Sequence, residues 1–143
     1  MALLAGFLAS NMNRPVIDHT GICASNFDKS KAFYLKALSA IGYALLLEFP
    51  ASVTGHTDVA GFGEPPKPDF WVSSGVANNP PLHIAFRVDS RAKVDAFYQA
   101  AIAAGGRDNG APGIRAHYHE NYYGAFVLDP DGHNIEAVCH SPV

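Results

Sequence analysis

The stretch DHTGICASNFDKSKAFYLKALSAIG, residues 18–42, decides the fold of this chain because a second copy of it follows. LHIAFRVDSRAKVDAFYQAAIAAGG, residues 82–106, aligns with it without a gap at an offset of 64, and eight of the 25 positions are identical. The identical positions include a histidine in the first strand-like segment of each copy, His19 and His83. Two copies of one structural module are the simplest interpretation of this repeat.

Each copy begins with residues of alternating polarity, which predict a strand over 16–24 and again over 82–88. A helix follows in both copies, with Ser25 or Asn26 as N-cap in the first and Ser90 in the second. A glycine stops each helix at its C-terminal end. Further strands are predicted over 43–49, 57–62, 69–74, near 107, over 123–128 and over 134–140. The order βαβββ therefore occurs twice. We expect an α+β fold in which two modules, about 15–76 and 81–141, form a curled mixed sheet around a cavity, with the helices outside.

The composition is that of one globular domain, which we place at residues 15–143. The formal net charge of −3 argues against a nucleic-acid surface, which needs a basic stripe. The sequence has no run of about 18 apolar residues that could span a membrane. Cys23 and Cys139 could pair, but two cysteines in a chain this long do not make a disulfide scaffold, so a reducing, cytoplasmic location is predicted.

Residues 1–14 are predicted to form an N-terminal extension outside the domain. They read MALLAGFLASNMNR, an apolar run with small residues that lacks the basic start of a secretory signal. A short helix, a disordered extension and an artefact of start choice, with Met12 beginning the domain, fit this composition better than a signal does.

Three predicted strands each carry one candidate metal ligand on the face away from the helices. Alternation turns His83 away from the apolar set of its strand, and the repeat places His19 on the matching face of the first strand. Glu136 likewise opposes the apolar side chains of the last strand. Two imidazoles and one carboxylate suit a divalent transition metal and leave positions open for water or substrate. The alternative for each residue alone is a hydrogen-bonded structural histidine or a solvated glutamate.

A resemblance to the vicinal oxygen chelate superfamily is carried by the doubled module, by IDHTGI (17–22) and LHIAFRV (82–88), and by the ending FVLDPDGHNIEAV (126–138). That superfamily holds glyoxalase I, bleomycin-resistance proteins, fosfomycin-resistance transferases and extradiol dioxygenases. The resemblance implies a divalent metal, Zn, Ni, Fe or Mn, held by His19, His83 and Glu136. It also implies a homodimer, since the superfamily builds cavities from paired modules within one chain or across a dimer.

The chain departs from glyoxalase I at one position. Glyoxalase I has a fourth protein ligand, a glutamate on the last strand of its first module. Subtracting the repeat offset from position 136 gives Val72, and only Asp69 at the start of that stretch carries a carboxylate. The departure argues against glyoxalase I activity and favours a three-ligand site, unless a register slip brings Asp69 closer. By the same alternation, Trp71 should face the helices.

The segment RAHYHENYYG, residues 115–124, gathers titratable and aromatic side chains that could close over the cavity. The candidate catalytic acids or bases in it are His117, Tyr118 and His119. The candidate substrate-binding residues are Arg115, Tyr122, Tyr123 and, on the strand of His83, Arg87. Arg87 could meet an anionic substrate or pair with Asp89, and the whole segment could instead be a decorated surface loop.

The leading hypothesis is a metal-dependent enzyme that binds a small-molecule substrate through adjacent oxygens, with lyase- or isomerase-like and dioxygenase-like chemistry both open. Extradiol enzymes usually have longer chains with duplicated domains, which weighs against the dioxygenase hypothesis. The alternative is a metal-free binding protein of the bleomycin-resistance type that sequesters a drug or metabolite. Such proteins typically lack the ligand trio, and this feature separates the two hypotheses.

Overall fold

The structure, a computed structural model, describes residues 16–142, so the extension predicted over 1–14 lies outside it. Two four-stranded sheets and three helices make up the described chain. The first module contains β1 (Thr20–Ala24), α1 (Phe27–Ser39), β2 (Ala44–Phe49), α2 (Ala51–Thr54), β3 (Val59–Gly63) and β4 (Phe70–Ser74). The second contains β5 (His83–Arg87), α3 (Arg91–Ala103), β6 (Arg107–Ile114), β7 (Tyr123–Leu128) and β8 (Asn134–Cys139).

Both sheets have the same topology, in which the first strand of the module runs parallel to the last and the remaining pairs are antiparallel. The strand orders are β1-β4-β3-β2 and β5-β8-β7-β6. The prediction of an α+β fold from two βαβββ modules is confirmed. The two sheets are separate, and neither closes on itself. The short helix α2 was not predicted, because four residues are too few to show a helical period.

Side-chain caps start the two long helices at residues that the sequence predicts. Asn26 accepts a hydrogen bond from the backbone N–H three residues further along (3.1 Å), and Ser90 does the same (3.3 Å). A glycine in the left-handed region follows each helix, with φ of 90° at Gly42 and 95° at Gly105. These glycines let the chain turn back toward the next strand without strain.

The core lies between the helices and the inner faces of both sheets. The two phenylalanines of the repeated AFY motif, Phe33 and Phe97, are 1% and 0% exposed. Each such side chain contributes about 1.5–3 kcal/mol on burial, so the repeat marks the points at which the helices are anchored. Cys139 is buried and Cys23 is partly buried, and both are free thiols.

The DPDG turn of the second module, residues 129–132, is bound to the first module. Asp129 is 2% exposed, and its Oδ2 accepts a hydrogen bond from the hydroxyl of Tyr34 on α1 (2.6 Å). Its Oδ1 accepts the backbone N–H groups of Asp131 and His133, both at 2.9 Å. Asp131 in turn accepts the backbone N–H of Ser25 (3.0 Å) and its hydroxyl. The turn therefore joins β8 to the start of α1.

The same turn holds the beginning of β5 through His133, which is buried. Nδ1 of His133 accepts the backbone N–H of Leu82 (2.9 Å), and the backbone N–H of Asn134 donates to the carbonyl of Leu82 (2.8 Å). His133 is thus a structural residue. Burial raises the pKa of the Tyr34 hydroxyl well above its usual value, and the charge of the turn adds to this, so the hydroxyl remains a donor.

Tyr34→Phe should lower the free energy of unfolding by about 1–3 kcal/mol, because the buried carboxylate of Asp129 loses one of its donors. Urea unfolding followed by circular dichroism measures this as a lower midpoint with an unchanged m value. Tyr98→Phe is the matched control, since Tyr98 is the repeat counterpart and its hydroxyl hydrogen-bonds to the exposed side chain of Asp108 rather than to a buried carboxylate. It should lower the midpoint much less than Tyr34→Phe does. Equal losses in both variants would contradict a special role for the Tyr34 hydroxyl.

Candidate functional site

The open face of the second sheet, away from the helices, holds a buried carboxylate. Glu136 on β8 is 1% exposed. The parallel pairing of β5 with β8 places Ala85 beside it, and Nε2 of His83 lies 3.0 Å from Oε2 of Glu136. The hydroxyl of Tyr122 donates a hydrogen bond to the other carboxylate oxygen, Oε1. Both oxygens therefore have partners, as the burial of a polar group requires.

Tyr122 fixes the orientation of this carboxylate. Burial raises the pKa of the Tyr122 hydroxyl above its ordinary value, and the hydrogen bond to Glu136 raises it further. The hydroxyl therefore stays protonated through the neutral range and keeps donating. The neighbouring Gly124 leaves the necessary room, since a Cβ there would lie 3.1 Å from Oε1 and 3.2 Å from the ring of Tyr122.

His83 and Glu136 fit a divalent metal by the chemistry of their facing atoms. The side chain of His83 is 53% exposed, and its Nε2 lies 3.0 Å from Oε2 of the buried Glu136. A neutral imidazole nitrogen and a carboxylate oxygen are ligands that zinc, nickel, iron and manganese accept. The hydrogen bond from Tyr122 is of the kind that orients ligating carboxylates in metal sites.

His19 lies just before β1 and is oriented by a carboxylate. Its Nδ1 is 2.7 Å from Oδ1 of Asp18, and Nζ of Lys67 lies 2.7 Å from the Asp18 carbonyl and 3.4 Å from Oδ2. The hydrogen bond to His19 and the charge of Lys67 lower the pKa of Asp18, which stays anionic. With Nδ1 donating to Asp18, Nε2 of His19 is left as the nitrogen with a free lone pair.

The three predicted metal ligands are not all brought together by one chain. Among residues 16–142, no three His, Cys, Asp or Glu side chains are grouped closely enough to hold a metal ion. His19 and His83 do line one cavity, of about 430 Å³, near the starts of β1 and β5. The pair of His83 and Glu136 is therefore assembled, whereas His19 as a third ligand stays a prediction.

The candidate catalytic residues form an aromatic row over Tyr122. Ring centroids are 4.2 Å apart for His117 and Tyr118, 4.7 Å for Tyr118 and Tyr122, and 5.6 Å for His119 and Tyr122. Nε2 of His119 also lies 2.8 Å from Nδ1 of His140 at the end of β8. His140 is not among the predicted site residues, and its place at the end of the strand that follows the DPDG turn is the only signal for it in the sequence. Tyr118 and His119 thus contact Tyr122, and Tyr122 in turn binds the carboxylate of Glu136.

Arg87 lies on the same face of β5 as His83 and is exposed. Within the described part of the chain its guanidinium makes no ion pair, and Asp89 pairs instead with Lys93 (3.1 Å). The sequence left two partners open for Arg87, an anionic substrate or Asp89. The structure excludes the ion pair with Asp89. A free guanidinium on the strand of His83 suits an anionic group of a ligand.

The other predicted substrate-binding residues lie further from the carboxylate. Nη2 of Arg115 donates to a backbone carbonyl four residues earlier (2.7 Å), and its guanidinium lies 5.4 Å from the ring centroid of Phe126. Tyr123 points to the opposite face from Tyr122, because its hydroxyl donates to Oδ1 of Asp95 on α3 (2.7 Å). Tyr123 is thus not brought to the site, a consequence of strand alternation.

The position of the missing fourth ligand is occupied by Trp71. Strand pairing places Gly21 beside Trp71 in the first sheet and Ala85 beside Glu136 in the second. Gly21 and Ala85 each follow the repeated histidine by two residues, so Trp71 is the structural counterpart of Glu136. Val72 faces the core and is 0% exposed. The predictions that Val72 holds this position and that Trp71 faces the helices are therefore wrong.

The error has a simple physical reason. The offset between the modules is 65 at their last strands, 136 minus 71, and 64 in the aligned segments. One additional residue between helix and last strand in the second module reverses the assignment of faces, because side chains alternate with a period of two. The conclusion that no carboxylate stands at this position is unchanged.

Residues 16–137 match a family model described as the glyoxalase/bleomycin resistance protein/dioxygenase superfamily. The chain belongs to this superfamily. The resemblance inferred from the first strands and the DPDG ending is thereby confirmed. No curated protein sequence is significantly similar to this superfamily member. Among its described residues, no helix is long and apolar enough to cross a membrane.

Solved structures of the superfamily share the fold. A glyoxalase/bleomycin resistance protein from Albidiferax ferrireducens has a TM-score of 0.67 and 23% identity, with 87% of this chain and 98% of that chain covered. A mutant of glyoxalase I from Zea mays has a TM-score of 0.64 and 20% identity, with 85% and 43% covered. A mutant of the fosfomycin resistance protein FosX from Listeria monocytogenes, complexed with Mn(II) and 1S,2S-dihydroxypropylphosphonic acid, has a TM-score of 0.63 and 16% identity, with 87% and 92% covered.

Tyr122→Phe and Glu136→Gln should be energetically coupled, because each alters the same buried hydrogen bond. We expect Tyr122→Phe to lower the free energy of unfolding by about 1.5–3 kcal/mol in the wild-type chain. The loss should be clearly smaller in the Glu136→Gln background. Urea denaturation of the wild type, the two single variants and the double variant gives the coupling energy. Additive losses would mean that Tyr122 does not hold the carboxylate.

Proposed function

We propose that this protein is a metal-dependent enzyme that acts on a small molecule carrying adjacent oxygens. The observation that carries the proposal is the buried carboxylate of Glu136, whose Oε2 faces Nε2 of the half-exposed His83 at 3.0 Å. Superfamily membership supports it, and so does the FosX complex, which holds Mn(II) and a ligand with two adjacent hydroxyls on a similar fold. Lyase- or isomerase-like and dioxygenase-like reactions both fit this class.

The residues that would hold the metal are His83, Glu136 and His19. A divalent ion bound there, Zn, Ni, Fe or Mn, would act as a Lewis acid on a substrate oxygen. Tyr122 keeps Glu136 oriented, and Asp18 keeps Nε2 of His19 available. Each chain thus supplies all three donors, and the contacts of Tyr122 and Asp18 orient two of them.

A second copy of the chain is proposed to complete the site. No three donors gather within the described residues of one chain, and His19 is exposed with its Nδ1 already bound to Asp18. We therefore place His19 of the partner subunit beside His83 and Glu136 in a homodimer. A cytoplasmic location, as expected from the cysteine content, remains part of the proposal.

Proton transfer and substrate binding are assigned to neighbouring side chains. His119 is the preferred acid or base, because its ring packs on Tyr122 and its Nε2 shares a hydrogen with His140 (2.8 Å). Tyr118 and His117 extend the same row toward solvent. Arg87, which has no carboxylate partner in the described chain, is proposed to bind an anionic group of the substrate.

A metal-free binding protein of the bleomycin-resistance type is the second candidate. The observation that favours it is that both oxygens of Glu136 already have hydrogen-bond partners within the chain. A site satisfied in this way needs no cation to be stable. In that case His83 and Tyr122 would serve to bury Glu136, and the cavity would sequester a ligand without turnover.

His83→Ala should reduce bound metal at least about tenfold, since one nitrogen ligand is removed. Metal analysis of protein purified without added metal, followed by Mn²⁺ and Zn²⁺ titration calorimetry, measures the change. His56→Ala is the matched control, because His56 is an exposed histidine in the turn before β3. It should retain the wild-type metal content. Equal metal content in wild type and His83→Ala would exclude His83 as a ligand.

Mixing His19→Ala chains with His83→Ala chains tests where the third ligand comes from. Neither variant alone should bind metal tightly. If the partner subunit supplies His19, a mixed dimer regains one intact site, and co-refolding the two variants restores metal binding. If the site is built within one chain, mixing restores nothing. The second result would contradict the proposed homodimeric site while leaving the ligands themselves in place.

A further inference from the structure

The open face of the first sheet presents an indole where the second sheet presents a carboxylate. Trp71 on β4 is paired with Gly21 on one side and with Gly61 on the other. A Cβ added at Gly61 would lie 2.8 Å from both Cη2 and Cζ3 of Trp71. The six-membered ring therefore lies directly over β3, where only glycine leaves room for it.

This indole forms one wall of a cavity of about 460 Å³, which is also lined by His19, Thr20, Gly21, Val59 and Ser73. His19 and Thr20 line the cavity that contains His83 as well. The two cavities thus adjoin at the start of β1. In the proposed dimer, the subunit that supplies His19 to the metal site therefore also brings Trp71 next to that site.

We propose that Trp71 is a stacking platform that selects substrates with a planar ring next to their adjacent oxygens. This inference rests on the proposed function, because the oxygens are taken to bind at His19, His83 and Glu136. Compared with Glu136 at the equivalent position of the second sheet, Trp71 carries no carboxylate and supplies a flat apolar surface. Thr20 and Ser73, which carry hydroxyls, line the same cavity. The site is therefore suited to an uncharged aromatic substituent rather than to a second anionic group.

Stacking on an indole gives a preference that can be measured with matched ligands. Mandelate and hexahydromandelate carry the same hydroxyl and carboxylate oxygens, but only mandelate has a planar ring. We expect mandelate to bind about three- to tenfold more tightly, the factor that corresponds to an aromatic pair. Trp71 is the single tryptophan of the chain, so its fluorescence reports directly on occupancy of the platform.

The experiment titrates both ligands into the full-length protein, with Mn²⁺ and with EDTA, by fluorescence and by calorimetry. Mandelate should quench Trp71 and hexahydromandelate should not. Trp71→Leu should abolish the calorimetric preference with unchanged Mn²⁺ affinity, and Trp71→Phe should keep part of it. Equal affinities in the wild type would overturn the inference. So would a preference that persists in Trp71→Leu, or mandelate binding that leaves the fluorescence unchanged.

Failure of the proposed function gives a different pattern. If the wild type binds no metal but mandelate still quenches Trp71 and binds more tightly than its saturated analogue in EDTA, the platform stands and the metal-dependent enzyme does not. If Mn²⁺ binds but no ligand reaches Trp71, the platform is wrong and the metal site stands. Acrylamide quenching checks whether a second copy covers the indole, and an indole inaccessible to acrylamide in the dimer also overturns the inference.

Discussion

The arrangement of the two modules depends on one buried carboxylate, that of Asp129. It accepts the hydroxyl of Tyr34 from the first module and two backbone N–H groups from its own turn. A charge removed from water in this way is stable only while its donors remain in place. The position of β8 against α1, and through His133 the start of β5, follows from this requirement. The strands that carry His83 and Glu136 are therefore positioned by a contact outside the site.

Two buried carboxylates belong to this region, Asp129 in the turn before the last strand and Glu136 within that strand, and their partners separate their roles. Asp129 has donors for both oxygens, namely the hydroxyl of Tyr34 and the backbone N–H groups of Asp131 and His133. Glu136 has one protein donor of the same kind, Tyr122, while its other oxygen faces the imidazole of the half-exposed His83. The carboxylate oxygen that faces this half-exposed imidazole is the one that we propose to bind a cation. This is the physical reason for assigning structure to one and function to the other.

The repeat makes the two halves alike in backbone and different in chemistry. Each begins with a histidine at the start of its sheet, His19 or His83, and each has an open face beside its first strand. The last strands of the two modules differ in chemistry, because Trp71 on β4 occupies the position that Glu136 occupies on β8. One half thus carries the pair that we propose to bind a cation, and the other half carries an apolar wall. The cavity lined by Trp71 and the cavity lined by His83 adjoin at His19 and Thr20, which in our proposal suits a substrate with one oxygen-rich end and one flat end.

Local patterns determined much of this protein from its sequence alone. The period of two in the strands and the apolar stripe in the helices predict the order βαβββ twice and the common face of His83 and Glu136. The polar residues before each helix predict the caps at Asn26 and Ser90. Only the tertiary structure decided that Trp71 is the counterpart of Glu136 and that Tyr122 holds that carboxylate. It also decided that, within residues 16–142 of one chain, His19 is not grouped with His83 and Glu136. These depend on the length of connecting segments and on how separate sheets pack, and neither is encoded in the spacing of residues along a single strand.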